Sequence, residues 1–186
     1  MIGGSCLCGR VSYEFEAPTD HFVLCHCNRC KKSSGSAFLA GLIVSGLKFH
    51  SGAELIESYE APILLTPPKY RRDFCGNCGS PVPSPFAEGN FYIVPAGTLD
   101  SDPGVEPTEH VWVDCEAPWE LRINELPRLT EAEFALAHVR DLDRSGAPDV
   151  AEHYRFIIEH YADDESAEGA VTSARSRLSE LPQNSE

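Results

Sequence analysis

The sequence predicts a mainly β domain of short antiparallel strands, followed by a helical extension. Three observations point there. Apolar residues alternate or cluster in short runs over roughly the first 130 positions, most of the 14 prolines punctuate those runs, and beyond Thr130 the apolar period lengthens to that of a helix. The boundary is drawn between a β domain at residues 1–130 and an acidic helical extension at 131–186.

In "RVSYEFE" (residues 10–16), Val11, Tyr13 and Phe15 fall on one side and Ser12, Glu14 and Glu16 on the other, the alternation of a half-buried strand. "FLAGLIV", "ELIESYE", "NFYIVPAGTL" and "HVWVDC" are apolar or β-branched runs bounded by Gly, Pro, Ser or Asp, so each reads as a further strand. "APILLTPPKY" and "GSPVPSPF" read as loops and strand ends, because proline cannot donate to a ladder. Thr130 and Glu133 have capping-box spacing ahead of "EAEFALAHVRDLD". Val150, Tyr154, Ile157 and Tyr161 share one helical face, and Val171, Ala174, Leu178 and Leu181 recur at similar spacing before Pro182. These faces need an apolar partner, either the β domain or a second copy in a homo-oligomer. The final "LPQNSE" is expected to be disordered.

The formal net charge is −14 at pH 7, which argues against nucleic acid as a partner, since phosphate recognition needs a basic face. Residues 131–186 hold 13 acidic and 5 basic side chains, whereas Arg29, Lys31, Lys32, Lys69, Arg71 and Arg72 gather beside cysteines. "MIGGSCLCGR" lacks the basic and apolar regions of a secretory signal, and "FLAGLIV" is far too short to span a bilayer. A cytoplasmic protein with no membrane association is the expectation.

In that reducing compartment eight cysteines point to metal rather than to disulfides. Cys75 and Cys78 form a C-x-x-C with Gly76 inside it and Gly79 after it, the form of a zinc knuckle. Cys6 and Cys8, two apart on an extended segment, can reach one ion from the same side. Together these four fill a closed structural site, clipping the N-terminal strand to the middle of the chain. Cys25, Cys27 and Cys30 in "CHCNRCKKSSGSAF" are then a three-thiolate set with one position open, the arrangement of catalytic zinc. Two other partitions exist. Cys27 and Cys30 could join Cys75 and Cys78, leaving Cys6 and Cys8 as a redox pair, or all seven thiols could be structural, with His26 or another histidine closing the second site. His26 reads better as a packed or hydrogen-bonded residue facing away from its neighbours. Cys115 reads as a small buried apolar group, Trp112 and Trp119 as core, and His110 as a weak candidate for a pocket wall.

In order and spacing, "GSCLCGRVSYE", "CHCNRCKKSSGSAF", "FCGNCGSPV" and "PTEHVWVDCEAPWE…LPR" resemble the glutathione-dependent formaldehyde-activating enzyme family, also called centromere-protein-V-like, over roughly residues 3–130. Lys31 stands where that family commonly has arginine. The resemblance implies a zinc-stapled β-tent fold with two zinc ions: Cys6, Cys8, Cys75 and Cys78 would hold the structural one, and Cys25, Cys27 and Cys30 the one linked to catalysis. It implies condensation of formaldehyde with glutathione to S-hydroxymethylglutathione, the reverse of a carbon–sulfur lyase reaction. The helical extension lies outside the resemblance.

The chemistry is consistent with the residues. Three thiolates donate strongly to zinc, so the ion suits an incoming thiol, held as thiolate, better than a carbonyl. Glutathione carries two carboxylates, for which Arg29, Lys31 and Lys32 offer cations, while Gly35 and Ser36 offer a turn and a hydroxyl for its peptide backbone. The alternatives are a non-catalytic zinc module that binds glutathione or a protein, and a dithiol redox protein using Cys27 and Cys30.

Overall fold

The structure is a computed structural model of the 186-residue chain, and it describes residues 1–16, 21–60, 70–85, 90–120 and 126–181. Most of "APILLTPPKY", Lys69 and the segment from Pro182 onward lie outside these. The chain divides into two compact units, Met1–Ile123 and Asn124–Glu186.

Among the described residues the first unit holds three small sheets. β1 (Ile2–Ser5), β2 (Ser12–Phe15) and β5 (Lys48–Ser51) form one antiparallel sheet in the order β1-β2-β5. β3 (Phe22–Cys25), β4 (Leu39–Ser45), β8 (Ser84–Pro85), β9 (Phe91–Pro95) and β10 (Glu109–Val111) form a second, ordered β10-β3-β4-β9-β8. β6 (Ile56–Glu60) pairs antiparallel with β7 (Arg71–Cys75). One pairing departs from the expected antiparallel pattern: β10 runs parallel to β3, with His110 opposite Leu24 and Val111 opposite Cys25. A parallel neighbour cannot arrive through a hairpin, and β10 reaches this edge only after β4 to β9 have been laid down.

Alternation on the five-stranded sheet organises the unit. Phe22, Leu42 and Val94 lie opposite one another across β3, β4 and β9 and are all buried. With Ile2, Tyr13, Phe15, Val44 and Leu47 they make the main core. Val11, Tyr13 and Phe15 are each at most 1% exposed, as the alternation of "RVSYEFE" predicts. The other side of the same strands, at Val23, Cys25, Gly41, Ile43 and Ile93, lines a cavity instead.

Between β3 and β4 the chain makes a short helix that sequence reading missed, α1 (Asn28–Ser34). Cys27 is its N-cap, with its sulfur accepting from Cys30 N at 3.4 Å, and Gly35 ends it at φ 66°. Lys31 and Lys32 occupy its last turn, where cations suit the helix dipole.

Among the described residues the second unit holds three α-helices, α2 (Glu131–Arg144), α3 (Val150–His160) and α4 (Glu168–Glu180). Thr130 and Glu133 form the anticipated capping box. The apolar faces that needed a partner find one in each other: Leu136, Val139, Tyr154, Ile157, Val171 and Ala174 share a single core. Arg177 adds a two-armed ion pair to Asp143, at 2.6 and 3.1 Å, across α4 and α2. Among the described residues no helix is long and apolar enough to cross a membrane.

Candidate metal centre and thiol cavity

The structure gathers seven of the eight thiols into two groups and leaves all eight free of disulfides. Cys6, Cys8, Cys75 and Cys78 form the first, their sulfurs all within 4.8 Å of one another. Cys6 and Cys8 sulfurs lie 3.5 Å apart and Cys8 and Cys75 sulfurs 4.0 Å apart. The edge of a zinc–thiolate tetrahedron is about 3.8 Å, so the donor set fits such an ion. The pair at Cys6 and Cys8 is not on a strand, as its spacing suggested, but in the tight turn after β1, closed by Gly9 N donating to Cys6 O at 2.8 Å. Cys75 ends β7, and Gly79, at φ 73°, returns its N–H to Cys75 O at 2.7 Å.

Polar groups stitch the two turns together. Asn77 Nδ2 donates to Cys8 Sγ at 3.3 Å, Leu7 N to Ser80 Oγ at 3.1 Å, and Val11 N to Cys6 Sγ at 3.3 Å. The Ser80 hydroxyl and N–H pull Cys78 down to about 6. Burial opposes ionisation of Cys6, yet the Val11 N–H and the neighbouring thiols outweigh it and lower that group. Burial dominates at Cys75 and raises it. A set in which some thiols ionise easily gives up its protons to solvent readily when a cation binds.

Cys25, Cys27 and Cys30 form the second group, brought together by a strand end, a helix cap and the first turn of α1. The thiol of Cys30 beside it, against the cost of burial and with help from the Cys27 N–H, holds Cys25 down to about 6. The same interaction and burial push Cys30 up. Among the described residues no fourth Cys, His, Asp or Glu completes this group. The two groups do not mix, so the structure does not pair Cys27 and Cys30 with Cys75 and Cys78.

His26, the other possible fourth donor, is occupied elsewhere. It is fully buried, with Nδ1 3.1 Å from Glu120 Oε2 and Nε2 2.8 Å from His110 Nδ1. The ring centroids are 5.1 Å apart and the planes differ by 17°, so the rings meet edge to edge. Glu116 also lies near, at 4.0 Å, and these side chains superficially resemble a ligand set. Two metal–nitrogen bonds of about 2.0 Å do not fit between nitrogens facing each other at that distance. The contact is an N–H···N hydrogen bond within a chain from Glu120 through His26 to His110.

The three thiols open onto a cavity of about 390 Å³. Its floor is the non-core side of β3, β4 and β9, where Gly41 leaves room: a Cβ there would sit 3.1 Å from Ile93 Cγ2. Of the cations named from sequence, Arg29 lines this cavity, its guanidinium 5.3 Å from the Tyr70 ring centroid. Lys31 donates instead to the Cys115 carbonyl. Lys32, Gly35 and Ser36 are exposed, and neither they nor Lys31 line the cavity. Sequence reading missed Tyr70, Arg72, Asp73 and Trp112, all in its wall. The basic pair Arg71-Arg72 was the available signal, but nothing local says that β7 faces α1.

Both tryptophans contradict their core assignment, Trp112 being 49% and Trp119 62% exposed. Trp112 follows β10 at φ 62°, a left-handed turn that takes the chain out of the sheet. The strand-like run containing Cys115 therefore ends at Val111, and Cys115 sits half-buried in a 3-10 turn.

The glutathione-dependent formaldehyde-activating enzyme family model matches residues 1–115, a span that contains both thiol groups and the cavity floor. A crystal structure of a Rhodobacter sphaeroides protein aligns with 56% of this chain and 91% of its own, at 23% identity and a TM-score of 0.41. No curated protein gives a match. With well over half of its length matched, the chain belongs to the glutathione-dependent formaldehyde-activating enzyme family.

Proposed function

We propose that this protein is a cytoplasmic two-zinc enzyme that joins formaldehyde, or a related aldehyde, to glutathione or another small thiol, and acts as a carbon–sulfur lyase in the opposite direction. Family membership supports the reaction class. The observation that carries it is the three-thiol group, with no fourth side-chain donor among the described residues, at the mouth of a cavity. In this reading Cys6, Cys8, Cys75 and Cys78 hold a structural ion within a β-tent, residues 1–130 carry the chemistry, and 131–186 form a helical unit that takes no part in it.

Cys25, Cys27 and Cys30 would hold a zinc ion, which would supply the charge that favours the thiolate form of an added thiol. The apolar floor limits water around the reacting groups, which strengthens every polar contact there. Burial keeps the Tyr70 phenol up at about 12, despite the Ser33 hydroxyl 2.5 Å away, so beside Cys30 it stays a protonated O–H donor. In the net addition a thiol S–H and a carbonyl π bond give way to a C–S and an O–H bond. Ser33 Oγ donates to Cys30 O, so the Tyr70 O–H donates to Ser33 and would turn from it to hold the carbonyl oxygen on which the proton ends.

The test is the rate of S-hydroxymethylglutathione formation over the spontaneous background. Wild-type protein should exceed background, and Cys30→Ser should fall to it while keeping one zinc per chain. Wild-type rates equal to background reduce the protein to a thiol-binding module.

A further inference from the structure

Arg72 Nε is buried and has no hydrogen-bond partner among the described residues, in the wall of the cavity onto which the three thiols open. A buried N–H without an acceptor is costly, and a ligand is one physical reason to retain it. Nearby cations are engaged. Arg71 Nε donates to Asp73 Oδ1 at 2.7 Å and its Nη2 to Ser58 Oγ at 2.8 Å. Lys31 is held by a backbone carbonyl. Asp73, the one carboxylate among the described cavity residues, is thereby neutralised and does not repel an anion. The Arg72 guanidinium rests 5.7 Å from the Phe74 ring centroid, which fixes its plane without using its donors.

We propose that Arg72, with Arg29 in the same wall, is a carboxylate-binding subsite that makes this cavity select small thiols carrying a carboxylate. The claim rests on the reading that Cys25, Cys27 and Cys30 accept an outside sulfur. It moves recognition of the acid group from the α1 lysines, where charge density in the sequence had placed it, to a strand 40 residues further on.

The test uses the full-length, metal-loaded protein and three probes of similar size: 3-mercaptopropionate, 2-mercaptoethanol and cysteamine. Binding is measured by calorimetry, corrected for each thiol's own acidity, with Trp112 fluorescence as a second readout because that ring lines the cavity. 3-Mercaptopropionate should bind at least about tenfold more tightly than 2-mercaptoethanol, with cysteamine weakest. Arg72→Gln should lose about tenfold for 3-mercaptopropionate and less than about twofold for 2-mercaptoethanol. If that variant does not fold, Arg72→Lys, which keeps the charge and loses Nε, should show an intermediate loss. Binding of all three thiols without charge discrimination, or an Arg72→Gln loss equal for acid and alcohol, overturns this inference and leaves the open-position reading standing. Binding of none removes both.

Discussion

Cys8 Sγ and Cys75 Sγ lie 4.0 Å apart although 67 positions separate them along the chain. A cross-link between these turns closes that stretch, and the chain-entropy model gives such a closure roughly 4 kcal/mol. Cys75 is fully buried, next to Val11 and Val82, so its loss also disturbs a small core.

Cys75→Ser is therefore expected to lower the unfolding free energy of the first unit by about 4 kcal/mol, a large share of the stability of a domain of this size. Strong chelation of wild-type protein should do the same. Far-UV circular dichroism would then show β structure lost while the helices of the second unit remain, because their core is their own. Full β structure in the chelated protein would mean that no ion supports this clip.

Removing the imidazole at the centre of the Glu120–His26–His110 chain should cost more than removing its exposed end. His26→Ala leaves a cavity and strands a largely buried carboxylate, for about 3 kcal/mol, while His110→Ala should cost about 1 kcal/mol. Denaturant midpoints of the first unit measure both. Equal costs would show that the chain does not fix the thiol-bearing segment.

The second unit should respond to acid through Asp143. The Arg177 guanidinium, against the cost of burial and with the Tyr154 hydroxyl, holds this carboxyl below its usual range. A depressed folded value means that the stabilisation is complete above the unfolded value, about 3.9, and disappears as pH falls through the lower folded value. Arg177→Gln should thus lower the helical melting temperature by no more than a few degrees at pH 7, since Arg177 is 43% exposed. The gap between variant and wild type should close well below pH 4. A gap independent of pH would assign the effect to packing.

Local pattern made some of this legible and topology hid the rest. Val11, Tyr13 and Phe15 announced their buried side through period-2 alternation, and Thr130 with Glu133 announced a helix start, because both signals are carried by neighbours in sequence. Spacing marked the cysteine clusters and the preference for four donors favoured one partition, but only the fold, by bringing Cys6 and Cys8 to Cys75 and Cys78, decides which cysteines meet. α1 went unread because its cap is a cysteine instead of the usual Ser, Thr, Asp or Asn. The exposed tryptophans went unread because a single left-handed residue, Trp112, diverts the chain. Tyr70 and Arg72 belong to the cavity only through the placing of β7, which no local pattern encodes.

The five-stranded sheet has one consequence for engineering. Its even-numbered side chains, Phe22, Leu42 and Val94, belong to the core of the first unit, whereas the odd-numbered Val23, Gly41, Ile43 and Ile93 line the cavity. The shape of the cavity is accordingly open to redesign at the second set with little repacking of the first. A one-position slip of β4 would exchange the two jobs and turn the binding chamber inside out.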